Sequence, residues 1–141
     1  MTARDYLKQL GTLARRIAML KEEIERRRTK LESTTVALKP DHVRTSGSGD
    51  SMTTGIAILA DKEIELDELL LQYELQRMKI TAELLGLDNA IYAQILYKLY
   101  VEEKDRARVA AELYYSPTYI SVLHSRALIA FEIKYAAQLN C

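Results

Sequence analysis

The stretch that decides the fold is DRARVAAELYYSPTYISVLHSRAL, residues 105–128. Its apolar side chains recur every three or four residues, the spacing that places them on one face of an α-helix. Asp105 and Ser116 are residues of the kind that cap helix N-termini, and Pro117 suits a first helical position, where no N–H donor is needed. The pattern predicts a short helix, a turn of three residues and a longer helix, which together form a helix-turn-helix.

The two helices of this motif are expected to span 106–113 and 117–136 and to pack through small and apolar residues. Ala110 suits the point where they cross, because the distance between packed helices depends on the size of the side chains at the contact. Upstream, Asp88 is expected to cap a preceding helix. The side chains expected to face inward are Val109, Ala110, Leu113, Ile120, Leu123, Ala127, Leu128 and Phe131.

Two longer segments upstream, 6–31 and 56–87, follow the seven-residue repeat of coiled-coil helices. The second also carries apolar residues off its seam, so we expect a third helix or another subunit to cover a second side of it. Gly86 is expected to end this helix. The off-seam residues are Ile64, Leu69, Leu71 and Met78; the seams comprise Tyr6, Leu10, Leu13, Ile17, Leu20, Ile24, Arg27 and Leu31, and then Ile56, Leu59, Glu63, Leu66, Leu70, Tyr73, Arg77, Ile80, Leu84 and Leu87.

These patterns predict an all-α protein. A long, coiled-coil-like helical hairpin, or the same helices paired across a dimer, is expected in residues 1–87, and a helix-turn-helix domain in residues 88–141. Residues 33–51 between the long helices contain Pro40 and the run TSGSGDS, a composition typical of a flexible linker. Because this run lacks the lysine of a phosphate-binding loop and follows no strand, a hinge is favoured over a nucleotide site.

Charge and composition narrow the function classes. The 20 Lys+Arg balance the 20 Asp+Glu, but residues 1–31 carry +5 and residues 52–88 carry −5, so these segments are expected to lie against each other. The absence of a long apolar run and of a leader, with Cys141 as the single cysteine, favours a reducing cytoplasm. We expect no metal site, because His42 and His124 have no second histidine or cysteine at ligand spacing. We expect no enzyme and no cofactor, because the sequence offers no convergent set of acid, base, nucleophile or metal ligands.

The C-terminal pattern resembles region four of bacterial sigma factors. The resemblance rests on Val109-Ala110, Leu113, Ser116, Ile120, Leu123 and Ala127-Leu128, with Leu99-Tyr100 similar to the preceding helix of that domain. The whole chain also resembles a family of short proteins from phages and prophages of Gram-positive bacteria, through Asp5-Tyr6-Leu7, the linker VRTSGSGDSM at 43–52, the acidic helix and the sigma-like tail. This resemblance implies a phage transcription regulator that acts in the cytoplasm of the bacterial host.

If the motif binds double-stranded DNA, the helix that begins at Pro117 offers its first turns to the major groove. Sigma-like domains usually place arginine or glutamine there, so this chain would depend on hydroxyl groups and on methyl contacts with thymine. The residues expected to face bases are Thr118, Tyr119, Ser121, Val122 and Ser125, and those expected to bind phosphates are Lys104, Arg106, Arg108, His124 and Arg126.

Residues 89–141 carry a net charge of only +1, so a monomer is expected to bind DNA weakly. We therefore expect further contacts from a homo-oligomer, with a dimer favoured, or from host RNA polymerase. Two alternatives remain open. One is a DNA recogniser like a phage small terminase, which would form a ring, and the other is a phage protein that inhibits a host enzyme by binding to it.

Overall fold

A computed structural model describes residues 1–37 and 46–140, and describes side chains in residues 1–33 and 52–140. Within these residues the protein has six α-helices and no strand, which confirms the predicted all-α class. A π-helical turn, Tyr97–Val101, continues the third helix. The helices are α1 (Ala3–Ala37), α2 (Ser46–Leu85), α3 (Ala90–Leu96), α4 (Arg106–Leu113), α5 (Pro117–Lys134) and α6 (Ala136–Leu139).

The two long helices extend into the predicted linker 33–51. Helix α1 continues to Ala37 and α2 begins at Ser46, so both ends of that segment are helical. Adding a residue to an existing helix requires far less ordering than starting a new one, which favours such extension even through serine and threonine. The rest of the predicted flexible linker, residues 38–45, lies outside the described part of the chain.

The chain divides into two compact units. The first, which we call the core unit, joins Met1–Ala14 to Tyr73–Cys141, and the second, the hairpin unit, is Arg15–Gln72. This division differs from the expected boundary after residue 87. The reason is that α1 begins with Tyr6, Leu7 and Leu10, which pack in one hydrophobic core with the end of α2 and with α5.

The hairpin unit pairs α1 with α2 in antiparallel directions. Arg28 Nη2 of α1 lies 2.7 Å from Glu63 Oε1 of α2. Leu31, which comes later in α1, lies against Gly55, which comes earlier in α2, so the two helices run in opposite directions. A Cβ at Gly55 would come within 2.9 Å of Leu31 Cδ2, so the two helices approach closely there. The oppositely charged blocks of the sequence therefore meet in at least one ion pair, as their charges suggested.

The core unit contains two neighbouring clusters of buried side chains. One surrounds Phe131, and the other lies between α3, α4 and α5 around Ile120. Of the eight residues predicted to face inward, seven are buried, and Leu113 packs partly buried at the edge of the second cluster. The first cluster comprises Ala3, Tyr6, Leu7, Leu10, Ile80, Leu84, Leu87, Leu96, Val101, Ala127, Leu128, Phe131 and Leu139, and the second comprises Ile95, Val109, Ala110, Ile120 and Leu123.

The capping residues match the sequence pattern with one exception. Asp105 accepts a hydrogen bond from the Arg108 N–H at 2.8 Å, and Ser116 accepts one from the Tyr119 N–H at 3.1 Å. The prediction that Asp88 caps α3 is wrong. Asn89 caps this helix, accepting from two backbone N–H groups at 2.9 and 3.2 Å, because its extended backbone places its amide oxygen over the first turn.

Gly86 follows the last residue of α2, as predicted, but for a different physical reason. It does not adopt the left-handed conformation usual for a glycine at a helix end. A Cβ at this position would lie 2.6 Å from the hydroxyl of Tyr135, so the glycine is needed for space. Lys134 donates a hydrogen bond to the Gly86 carbonyl, and the Tyr135 hydroxyl donates to the Glu83 carbonyl at 2.5 Å.

Candidate nucleic-acid interface

The turn between α4 and α5 is held by backbone hydrogen bonds and an aromatic pair. Tyr114 adopts a left-handed conformation at φ 61°, and the Tyr115 N–H donates to the Ala110 carbonyl at 3.0 Å. This is the bond that closes a helix at its C-terminus, where glycine is the usual left-handed residue. Tyr115 then packs edge-to-face on Tyr119, with ring centroids 5.2 Å apart, which connects the turn to the first turn of α5.

The residues predicted to face bases lie on the accessible side of α5. Thr118 and Ser125 are exposed, and Tyr119 and Val122 keep 44% and 41% of their surface in solvent. Ser121 is half-buried beside them. Helix α5 buries its opposite side in the second cluster, so its first turns are free to enter a groove.

The serine hydroxyls of this surface already donate their hydrogens within the helix. Ser121 Oγ donates to the Pro117 carbonyl and Ser125 Oγ to the Ser121 carbonyl, both at 3.2 Å. Ser121 Oγ also accepts from Arg106 Nη1 at 3.3 Å. A hydroxyl in this arrangement has only acceptor capacity left, so Ser125 is suited to the amino groups of adenine or cytosine.

Three of the five predicted phosphate ligands are exposed arginines. Arg106 lies at the start of α4, where it contacts Ser121. The Arg108 side chain is 68% exposed, with its Nε 3.7 Å from Glu112, a contact that is weak in water. Arg126 is exposed one turn beyond Val122. A guanidinium group binds phosphate oxygens in pairs, so these three side chains have the chemistry that the prediction requires.

Lys104 is committed to carboxylates of its own domain. Its ammonium lies 2.8 Å from Glu112 and 3.4 Å from Glu102, and its side chain is only 17% exposed. Hydrogen bonds from Lys104 and Lys98 hold the pKa of Glu112 below its usual range. The charge of Lys104 is thus balanced where it stands, and this lysine ties the loop before α4 to α4 instead of projecting towards a phosphate.

The prediction that His124 binds phosphate is wrong. The side chain is buried, with 5% of its surface exposed, between α5 and the π-helical turn. Burial, and then the nearby Arg106 and Arg4, lower the pKa of His124 to about 4, so the ring is neutral at pH 7. It carries neither the charge nor the exposure of a phosphate ligand.

The hydrogen bonds of His124 identify its tautomer and a residue that the sequence did not indicate. Arg106 Nη2 lies 3.4 Å from Nδ1, and since a guanidinium only donates, Nδ1 accepts. Nε2 therefore bears the proton and donates to the Tyr100 hydroxyl at 2.7 Å. Arg4 of α1 also lies beside Tyr100 and adds a further exposed guanidinium near Arg106 and His124. No local pattern links Arg4 to residues a hundred positions away.

The described part of the chain shows neither a metal-binding cluster nor a membrane-spanning helix. No group of three His, Cys, Asp or Glu side chains there is arranged to hold a metal ion. None of its helices combines the length and the apolar character needed to cross a bilayer. Comparison with known proteins finds no matching family model, no similar curated protein and no similar solved structure.

Proposed function

We propose that this protein is a non-enzymatic, DNA-binding transcription regulator of phage origin, with a sigma-like helix-turn-helix. The observation that supports the proposal is the accessible side of α5, where Thr118, Val122 and Ser125 are exposed. The exposed Arg106 contacts Ser121 on this helix, and Arg126 is exposed next to Ser125. The N-cap of α5 by Ser116 keeps its first turn regular, which a recognition helix requires.

In the proposed complex, α5 enters the major groove of double-stranded DNA. The Thr118 methyl and Val122 contact thymine methyl groups, and Ser125 accepts a hydrogen bond from a base amino group. Arg106, Arg108 and Arg126 bind phosphates and hold the helix in register. With so few cations, one domain binds weakly, so a homo-oligomer or host RNA polymerase supplies the remaining contacts in the bacterial cytoplasm.

The test is the salt dependence of binding to the phage's own promoter DNA. The logarithm of affinity should fall linearly with the logarithm of salt concentration, with a slope of about 0.9 for each phosphate contact. Replacing Arg106, Arg108 and Arg126 together by alanine should flatten this slope. Arg16→Ala, which removes an exposed cation from the hairpin unit, is the matched control and should leave it unchanged.

Negligible binding to all phage DNA at low salt would overturn the proposal. Binding confined to packaging-site DNA by a ring of many subunits would replace it with the small-terminase alternative. Circular dichroism of the triple variant distinguishes loss of phosphate contacts from loss of fold, because Arg106 also contacts buried His124.

One observation favours the alternative of a protein that binds and inhibits a host enzyme. Helix α5 carries exposed apolar residues beyond the proposed groove surface, since Ile129 and Ile133 are 57% and 77% exposed. They continue the three- and four-residue spacing of Tyr119, Val122 and Arg126. An amphipathic stripe of this kind also suits a protein groove. If the protein binds a host enzyme in this way, its affinity for that enzyme would be insensitive to salt. Ile133→Glu would then weaken binding to the enzyme more than Arg126→Ala.

A further inference from the structure

Helix α2 carries a second apolar stripe in the core unit, on the side away from its buried face. Leu75, Met78 and Leu85 are 58%, 66% and 79% exposed, and Ala82 is exposed between them. The intervals between these residues are three, four and three, the spacing of a coiled-coil seam. The apolar residues off the seam of α2 predicted that a second side of this helix is covered, and within the described residues these side chains remain in solvent.

The buried face of the same stretch is already in use. Ile80 and Leu84 are 0% and 2% exposed, in the cluster around Phe131. Because successive residues of a helix are rotated by about 100°, Met78 and Leu85 point away from this face. The exposed stripe is therefore a separate surface, and not the edge of the core.

The charges that flank the stripe are complementary to a copy of themselves. Glu74 immediately precedes Leu75, and Lys79 immediately follows Met78. In a parallel pair of helices, Glu74 of each copy faces Lys79 of the other copy. The symmetry of the dimer therefore gives two such pairs. Within the described chain neither residue forms an ion pair, although Lys79 lies 5.9 Å from the centre of the Tyr6 ring. Both charges are available to a partner.

The opposite orientation of two copies fits less well. An antiparallel pair centred on the same stripe would bring Lys79 against Lys79 of the second copy, and like charges at facing positions are destabilising. Towards the N-terminus of α2 the stripe continues at Leu71, which is 61% exposed, and then becomes mixed. One heptad before Leu75 stands Glu68, which a parallel pair would place against itself. The seam is therefore apolar at every position only from Leu71 to Leu85.

We propose that the face of α2 formed by Leu75, Met78, Ala82 and Leu85 binds the same face of a second copy of the chain, in parallel and in register. Leu75, Met78 and Leu85 leave water on association, and two Glu74–Lys79 pairs fix the orientation. The small Ala82 lets the two helices approach. This interface goes beyond the proposed function, because it forms without DNA, and a monomer that binds phage DNA would overturn the dimer alone.

The oligomeric state of the full chain in the absence of DNA tests the interface. Sedimentation equilibrium of the wild type should give twice the chain mass of 16.1 kDa. Met78→Glu with Leu85→Glu should halve that mass at the same concentration, with unchanged helical circular dichroism, because both side chains are exposed. Ile133→Glu, at a residue 77% exposed on α5, is the matched control and should remain dimeric. A monomeric wild type, or a double variant with wild-type mass, would overturn the interface.

Orientation is tested by charge exchange and by cross-linking. Glu74→Lys and Lys79→Glu should each raise the dimer dissociation constant about fivefold or more, and the double exchange should restore it towards the wild-type value. In a Cys141→Ser background, Ala82→Cys should form a disulfide with its own copy, because parallel helices place identical seam residues together. Failure of the exchange to restore association, or cross-linking only when Leu75→Cys is also present, would overturn the parallel arrangement.

Discussion

The core unit and the hairpin unit use the same two long helices with very different degrees of burial. In the core unit, Leu7 and Leu10 of α1 share a buried cluster with Ile80 and Leu84 of α2, and none of the four is more than 2% exposed. In the hairpin unit, α1 buries Ile17 and Ile24, while the seam residues of α2 are only partly buried or exposed. The heptad pattern is similar in both.

The difference shows how much side-chain burial a heptad seam provides by itself. Two helices cover one stripe of each other, and the rest of each helix stays in solvent. In the core unit α3 and α5 add a further layer, which completes the burial of Phe131 and Leu96. Stability therefore depends on the number of helices packed at a point more than on the quality of the repeat.

The largest expected effect comes from removing the central side chain of the core unit. Phe131 is fully buried between Tyr6 and Tyr135, at ring distances of 5.8 and 4.8 Å. Phe131→Ala should lower the free energy of unfolding by about 3–5 kcal/mol, through lost burial and the cavity left behind. Ile24→Ala in the hairpin unit should lower it by only about 2 kcal/mol, the low end for such a truncation, because two helices can close around the smaller residue. Urea denaturation measures both, and equal losses would contradict the comparison.

The second-largest effect is expected from His124 in the core unit, whose protonation should lower the free energy of unfolding in weak acid. The pKa of His124 is about 4 in the folded protein and near 6.5 in the unfolded chain, so between these values only the unfolded chain binds the proton. Stability is therefore complete above pH 6.5 and falls by roughly 2–3 kcal/mol as the pH drops to 4. His124→Gln should remove this part of the slope in urea denaturation at pH 7, 5.5 and 4.5. An unchanged slope would show that other groups cause it.

A smaller effect is expected from the hydroxyl of Tyr6. It donates to Glu83 Oε1 at 2.5 Å, and Glu83 is 7% exposed, with its Oε2 lacking a hydrogen-bond partner. Tyr6→Phe would leave both carboxylate oxygens without a donor, which should lower the thermal midpoint through a loss of about 1–2 kcal/mol. Tyr119→Phe, at an exposed ring, is the control and should leave the midpoint unchanged.

The smallest effect is expected from the ion pair of the hairpin unit. Arg28 and Glu63 are 2.7 Å apart, yet both side chains are more than 40% exposed. Water and salt weaken such a pair, so Arg28→Ala should shift the thermal midpoint less than Phe131→Ala, Ile24→Ala or Tyr6→Phe, and less still at 1 M salt. A shift as large as that of Tyr6→Phe would mean that charge pairing, and not burial, holds the two helices together.

Much of the fold followed from residues that act locally. The caps at Asp105 and Ser116 and the inward positions of α5 were correct, because side-chain spacing and capping chemistry are properties of short segments. The packing of Tyr6 against Phe131 was not predictable from the pattern, since it joins positions far apart in the sequence. The division of the chain into units depends on this long-range contact.

The candidate interface shows the same limit. The exposed positions Thr118, Val122 and Ser125 followed from helical spacing, and their exposure was expected. His124 lies among them in the sequence, but its position on the helix is turned towards Tyr100, and the pairing was not visible locally. Lys104 was likewise expected to be available to a phosphate, because the sequence does not show that Glu112 lies 2.8 Å from its ammonium group.

The close packing around Gly86 limits how far α5 can tilt relative to the end of α2. Lys134 and Tyr135, at the end of α5, bind the last residues of α2, and no space remains there for even a methyl group. Helix α5 is 18 residues long, or about 27 Å, so a tilt of about 10° at this joint would carry its first turn through roughly 5 Å. In the proposed DNA complex, that displacement would exceed the spacing of about 3.4 Å between successive base pairs. The close packing at Gly86 therefore helps to hold the first turn of α5 in the position that the proposed complex requires.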